Sequence, residues 1–262
     1  MNTKRLPALA AATLAALALS SCGSDDSGKT STGADVITKG TLTVCSDVPY
    51  PPFEDFDKSS DLGFKGFDVD IVNEIAERLD LTLKIKDSSF DALQSGQALN
   101  AGQCDLAASA MTITDDRKKN LDFAEGYYDS KQSLLVPADS DIAGIGDLDG
   151  VKVGVQQGTT GKTYTEENAD GAKIVTFPSD AEMFQAIKAG QVQALLQDLP
   201  VNLDHTKDGQ FKVVETYDTD EEYGFAIKKG NSQLVDDING ALDEMRDDGT
   251  YDEIYNKYFE VE

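Results

Sequence analysis

The chain has 262 residues, 40% apolar and 8% aromatic, which is long enough to bury a core and too apolar for a disordered coil. Its 23 Lys and Arg stand against 48 Asp and Glu, a formal charge of −25. A field of that sign repels phosphate backbones and argues against nucleic acid as a partner.

Lys4 and Arg5 precede an uncharged stretch, residues 6–19, dominated by Ala and Leu. That is shorter than the ~20 residues of a membrane span and suits the apolar region of a signal peptide. Leu19-Ser20-Ser21-Cys22-Gly23 follows and resembles a bacterial lipobox, which implies cleavage before Cys22 and lipidation of that residue. Residues 1–21 therefore read as a signal peptide, and the product as exported and lipid-anchored to the outer face of the cell membrane. A plain secretory signal with an incidental Cys is the alternative. Residues 23–33 are small and polar, so residues 22–40 read as a lipidated Cys and a flexible tether, its polar part reaching ~20 Å, with folding expected to start near Ala34.

Residues 41–46 (TLTVCS) read as a buried strand, stopped by Pro49, Pro51 and Pro52. A helix is expected after Gly66-Phe67, with Asp68 as N-cap and Ile71, Val72, Ile75, Ala76 and Leu79 on one face. Residues 81–86 alternate as a strand, Phe90 opens another helix, and residues 105–110 form a small-residue strand. Residues 151–155, 173–177, 194–197 and 224–227 read as further strands, with helical stretches such as 181–189 between them. Strands alternating with helices predict an α/β fold with largely parallel sheets. Ala101-Gly102-Gln103 and Ala189-Gly190-Gln191 each stand between a helix and a strand, with Gly where a left-handed C-terminal residue is needed. This echo suggests two lobes of one design. The chain ends in two amphipathic helices, one lined by Leu234, Val235, Ile238, Leu242 and Met245 and stopped at Gly249, the other by Tyr251, Ile254, Tyr255, Tyr258 and Phe259.

Cys45 and Cys104 remain once Cys22 is set aside, and an even pair in an exported chain suggests a disulfide; two buried free thiols are the alternative. Catalytic and metal signatures are weak. Residues 156–163 (QQGTTGKT) end like a phosphate-binding loop, but Gln156 replaces the first Gly, where the turn is most restrictive. A Gly/Thr turn opening a helix still presents N–H groups to a small anion. Gly144-x-Gly146 precedes its strand, the wrong context for a dinucleotide fingerprint. His205 lies in a polar stretch and reads as solvent-exposed; no HExxH or paired CxxC occurs, so no metal and no cofactor are expected.

Six ordered segments, DVPYPPFE (47–54), GFDVDI (66–71), MTITDDR (111–117), QGTT (157–160), Gln197-Asp198 and Gly249-Thr250-Tyr251, resemble the polar amino-acid binding proteins of ABC importers, over about residues 41–260. The resemblance is to the extracellular solute-binding proteins of family 3, including lysine/arginine/ornithine and glutamine binders. It implies a type II periplasmic-binding fold: lobe one at 41–129 plus 226–262, lobe two at 132–222, with hinge crossings near 128–131 and 222–225. It also implies a free amino acid as ligand, an ABC permease as partner, a monomer, and binding rather than catalysis. Carried over, Arg117 grips the ligand α-carboxylate as a planar fork. Asp198 pairs with the α-ammonium, and Thr112, the backbone of Ala110 and the Thr159-Thr160 turn complete those contacts. Tyr50 and Phe90 wall the ligand side chain. Asp47 is then left without a partner, which favours a basic side chain. Glutamine is the rival, donating to Asp47 and accepting from Gln156 or Gln197. Of other classes, a cyclohexadienyl or arogenate dehydratase on the same fold would cast Asp47 as its acid, and a ligand-binding sensor domain would need a signalling module.

Overall fold

The computed structural model describes Met1 and residues 28–259. Apart from Met1, the segment read as signal peptide lies outside the described residues, as do Cys22 and the tether up to residue 27. From there β1 (Gly28–Lys29) pairs with β2 (Asp35–Val36), and β3 (Thr41–Ser46) opens the first large sheet. The hairpin β4 (Asp55–Phe56) and β5 (Phe64–Lys65) leads into α1 (Phe67–Arg78), β6 (Thr82–Asp87), α2 (Phe90–Gln94), α3 (Gln97–Asn100), β7 (Leu106–Ala107) and β8 (Leu121–Phe123). A second run follows: β9 (Tyr128–Pro137), β10 (Lys152–Gln156), α4 (Thr160–Asn168), β11 (Lys173–Phe177), α5 (Asp180–Lys188), β12 (Ala194–Asp198), α6 (Leu199–His205) and β13 (Phe211–Tyr223). Then β14 (Ala226–Lys228), α7 (Ser232–Asp248) and α8 (Thr250–Phe259) close the chain.

The two five-stranded sheets repeat one plan. In the first the order is β6-β3-β7-β14-β8, with β3 parallel to β6 and β7 and β14 antiparallel to both its neighbours. In the second the order is β11-β10-β12-β9-β13, with β10 parallel to β11 and β12 and β9 antiparallel to both its neighbours. The sequence echo takes the same shape in each. Gly102 and Gly190 have φ of 66° and 69°, and the following Gln103 and Gln191 donate their N–H to Ala98 and Ala186. Both helices thus end in the same six-to-one turn that a left-handed glycine permits.

The chain passes from the first sheet to the second on β9 and returns on β13, whose ends pair as Tyr128↔Tyr223, Asp129↔Glu222 and Ser130↔Glu221. Beside this crossing Tyr127 stacks on Phe225 at 4.2 Å, and Phe53 and Phe67 pack edge-on against Tyr128. The first core buries Ile71 and Ile75 of α1 with Leu234, Ile238, Leu242 and Met245 of α7. The aromatic face of α8 packs against it, half-buried. Cys45 on β3 and Cys104, just ahead of the neighbouring β7, form a disulfide with Cα atoms 5.7 Å apart.

Two local expectations are corrected. Part of the stretch read as tether is packed: Thr30 is buried, and the hydroxyls of Thr30 and Thr32 both donate to Asp237 of α7. A polar segment can dock where its hydroxyls find a buried acceptor, so low hydrophobicity alone misjudged it. Asp68 is not the cap of α1, a place held by Gly66 at φ 136°, where a Cβ would lie 2.1 Å from the Phe53 carbonyl. Asp68 lies instead inside the first turn, buried, accepting from the Ala110 N–H and the Tyr127 hydroxyl.

Candidate binding site

Between the sheets lies a small cavity lined by Asp47, Tyr50, Phe90, Ser109, Ala110, Thr112, Arg117, Gln156, Thr159, Thr160 and Asp198. Every position named from sequence is here except Gln197, and Ser109 is added. The backbone explains why segments so far apart converge. Asp47 and Tyr50 follow β3, Phe90 opens α2, and residues 109–117 follow β7, so all lie beyond the C-terminal ends of parallel strands, where open α/β sheets gather ligand-facing groups. Gln156, Thr159 and Thr160 hold the same place after β10, and Asp198 ends β12.

Arg117 opens a single 3-10 turn, where its N–H donates to the Thr114 hydroxyl. Its guanidinium is buried, with Nη1 donating to the Thr112 carbonyl at 2.6 Å and Nη2 to the Gly158 carbonyl at 3.0 Å. Burial lowers it to about 10, against the pull of Asp198 and Glu221, so it stays cationic at neutral pH. Its carbon lies 5.2 Å from the Phe90 ring centre. A guanidinium carries five N–H donors, so three remain beyond the two used on carbonyls.

Asp198 accepts from the Tyr50 hydroxyl at 2.8 Å and from Gln132 Nε2 at 2.6 Å; burial, with the neighbouring Glu221 charge, lifts it to about 6. Asp47 accepts from Gln156 Nε2 at 2.6 Å, and burial lifts it too to about 6, with Asp87 and Asp180 adding to the rise. The contacts Tyr50–Asp198, Asp47–Gln156 and Arg117–Gly158 all join residues of the first-sheet segments to residues of the second. Ala110 has φ 43°, a left-handed conformation costly for a residue with a Cβ, and the Asp68 carboxylate holds its N–H there. Thr159 caps α4 by accepting the Lys162 N–H, so the turn read as phosphate-like ends a strand and starts a helix as expected.

Gln197 is a correction. Successive side chains of a strand face opposite sides, so with Asp198 toward the cavity Gln197 must turn away. It donates to Asp180 at 2.9 Å and to Asn202 at 3.0 Å, both behind the site. His205 is a second correction: it ends α6, is buried, stacks on Phe184 at 3.7 Å and meets Asp180 at 3.0 Å. A polar sequence hid a helix whose inner face includes it.

Two acids and an amide escaped the sequence reading. Gln132, fully buried on β9, donates to both Asp198 and Glu221. Glu221 accepts from Thr112 and Thr160, two cavity residues. Glu54 is fully buried and accepts from Ser109, and burial with the charge of Asp68 pushes it well above the usual carboxylate range. Glu54 and Asp68 stood inside recognisable segments, but nothing in their spacing distinguishes a buried acid from a surface one.

The sequence profile of the bacterial extracellular solute-binding proteins, family 3, matches residues 42–261. A probable histidine-binding protein of Neisseria gonorrhoeae is 34% identical, over 100% of this chain and 98% of that protein. Among solved structures, an ancestral arginine-binding protein bound to glutamine superposes with a TM-score of 0.79 at 39% identity. An ancestral arginine-binding protein bound to arginine does so with a TM-score of 0.79 at 38% identity. Both alignments cover 85% of this chain and 99% of the other. The architecture is the type II periplasmic-binding fold, and the chain belongs to the bacterial extracellular solute-binding proteins, family 3.

Proposed function

We propose that the protein captures a free polar L-amino acid with a basic side chain and delivers it to an ABC permease. Lobe one (41–129 with 226–262) and lobe two (132–222) would close about the crossing strands, burying the ligand between them. Arg117 would hold the α-carboxylate and Asp198 the α-ammonium. The observation that carries the basic side chain is a charge count: one buried guanidinium shares the cavity with two separately held carboxylates, Asp47 and Asp198. A zwitterion satisfies Arg117 and Asp198 and leaves Asp47, which a side-chain cation between Tyr50 and Phe90 would neutralise. The single chain would act as a monomer, anchored through a lipid on Cys22, by binding and closure without covalent chemistry.

Glutamine is the second reading. Asp47 already accepts from the Gln156 amide, so it can be served by a neutral N–H donor. Thermal melting of the purified protein with each common amino acid, ornithine, citrulline and prephenate tests the set. A ligand at ~1,000 times its Kd adds ~4 kcal/mol, or roughly 8–16 °C for a chain of this size. A large shift with arginine, lysine or ornithine is expected. A shift with glutamine alone would overturn the basic side chain, and a response to prephenate alone, with turnover, would overturn amino-acid capture.

A further inference from the structure

Glu221 stands near the end of β13, where the register against β9 breaks after Tyr217 and Asp220 adopts φ 49°. That irregularity turns the Glu221 carboxylate inward, and the residue is 8% exposed. Oε2 accepts from Thr112 Oγ1 at 2.6 Å and from Thr160 Oγ1 at 2.7 Å. Oε1 accepts from Thr219 Oγ1 at 2.9 Å and from Gln132 Nε2 at 3.0 Å. An ionised carboxylate offers roughly four lone-pair sites, and all are matched. Thr112 comes from the first-sheet segments and Thr160 from the start of α4, so one acid on the return strand joins both sides. Thr112 and Thr160 line the cavity, whereas Glu221 does not; all three also line a more open cleft beside it, with Arg117.

A threonine hydroxyl has a single proton. With that proton on Glu221, Thr112 and Thr160 have only lone pairs to show the cavity. They cannot donate to a ligand carboxylate, and among side chains that work is left to Arg117. They can accept from a cationic N–H. We infer that Glu221 is a specificity-determining positioning residue, which fixes these two hydroxyls as acceptors and so selects a ligand with an ammonium group beside Asp198. This rests on the amino-acid reading above and names the residue that enforces its α-ammonium requirement.

The Glu221→Gln variant tests it, since a carboxamide of equal shape must donate where the carboxylate accepted and so turns a threonine proton toward the ligand. Calorimetry would compare L-arginine with 5-guanidinopentanoate, which lacks the α-ammonium, and L-glutamine with glutaramate. Affinity for the amino acid is expected to fall about tenfold, the scale of one hydrogen bond to a charged group. Affinity for the des-amino analogue should change less than about twofold on the same reasoning. Thr112→Val should weaken the wild-type protein and add little in the Glu221→Gln background, as expected of two residues acting as one unit. Equal losses for amino acid and analogue would make Glu221 merely structural and overturn the inference, as would no loss for either. Should Glu221→Gln fail to fold, Thr112→Val alone must still cost the amino acid more than the analogue. A wild-type protein that binds neither amino acid would fail the functional reading itself, an outcome separate from binding without discrimination.

Discussion

Asp47 and Asp198 line one cavity, and burial lifts both to about 6, but they are held in different ways. Asp198 is fixed by a phenol and an amide, Tyr50 and Gln132, the latter fully buried and shared with Glu221. Asp47 is only half-buried and takes one side-chain donor, the Gln156 amide, which also serves the Pro178 carbonyl, beside the Phe90 backbone N–H. A carboxylate held from several sides suits the part of a ligand common to a whole class. One held by a single side-chain donor suits the part that varies. The contrast supports the proposed division, in which Asp198 would meet the α-ammonium and Asp47 the side chain.

The sharpest way to break that division is Asp198→Asn. Truncating one partner of a buried charge pair costs about 2–5 kcal/mol, so affinity should fall about 30-fold or more. Calorimetry should show this for arginine and glutamine alike; a loss confined to one of them would place Asp198 on the side chain. Asp47→Asn should discriminate. Arginine is expected to weaken about tenfold, as for one charge-assisted hydrogen bond, and glutamine to stay within about twofold because an amide can still meet an amide. Parallel losses for both ligands would merge the two acids into one subsite.

What was readable from the sequence divides along the same line. Short apolar strands such as β3, β10 and β12 announced themselves, and so did the apolar faces of α1 and α7, because burial on both sides leaves a compositional mark. The cavity positions Asp47, Arg117 and Asp198 were reached through ordered motifs. The two crossing strands were not legible over their length: β13 ends in DTDEEY, which composition reads as a solvated acidic run, and only its pairing with β9 makes it a strand. Glu221 was hidden for that reason. Gln197 failed by one residue of strand alternation, and His205 and Asp68 because a lone polar residue does not reveal the partner that buries it.

The smallest effect is thermodynamic and reads the two acids without any ligand. Each has a native pKa near 6, above the usual 3.8, so the folded state binds more protons than the unfolded one. Their contribution to stability is therefore full below about 4 and is lost as pH rises through about 6. Going from pH 7 to 6 should recover about 0.35 kcal/mol from each, roughly 1 °C in Tm for a chain of this size. Asp68, lifted by burial to about 7, adds to the rise in the same direction, so the test is the difference between proteins. Asp47→Asn and Asp198→Asn should each flatten the wild-type rise by about one such step. Ligand binding must show the opposite sign, because a bound cation needs the carboxylate ionised. Arginine affinity should thus fall about threefold over the same unit if both acids meet positive charge, and only about twofold if one does. Measuring Tm without ligand and Kd with it across pH 5–8 then counts how many of the two carboxylates the ligand engages.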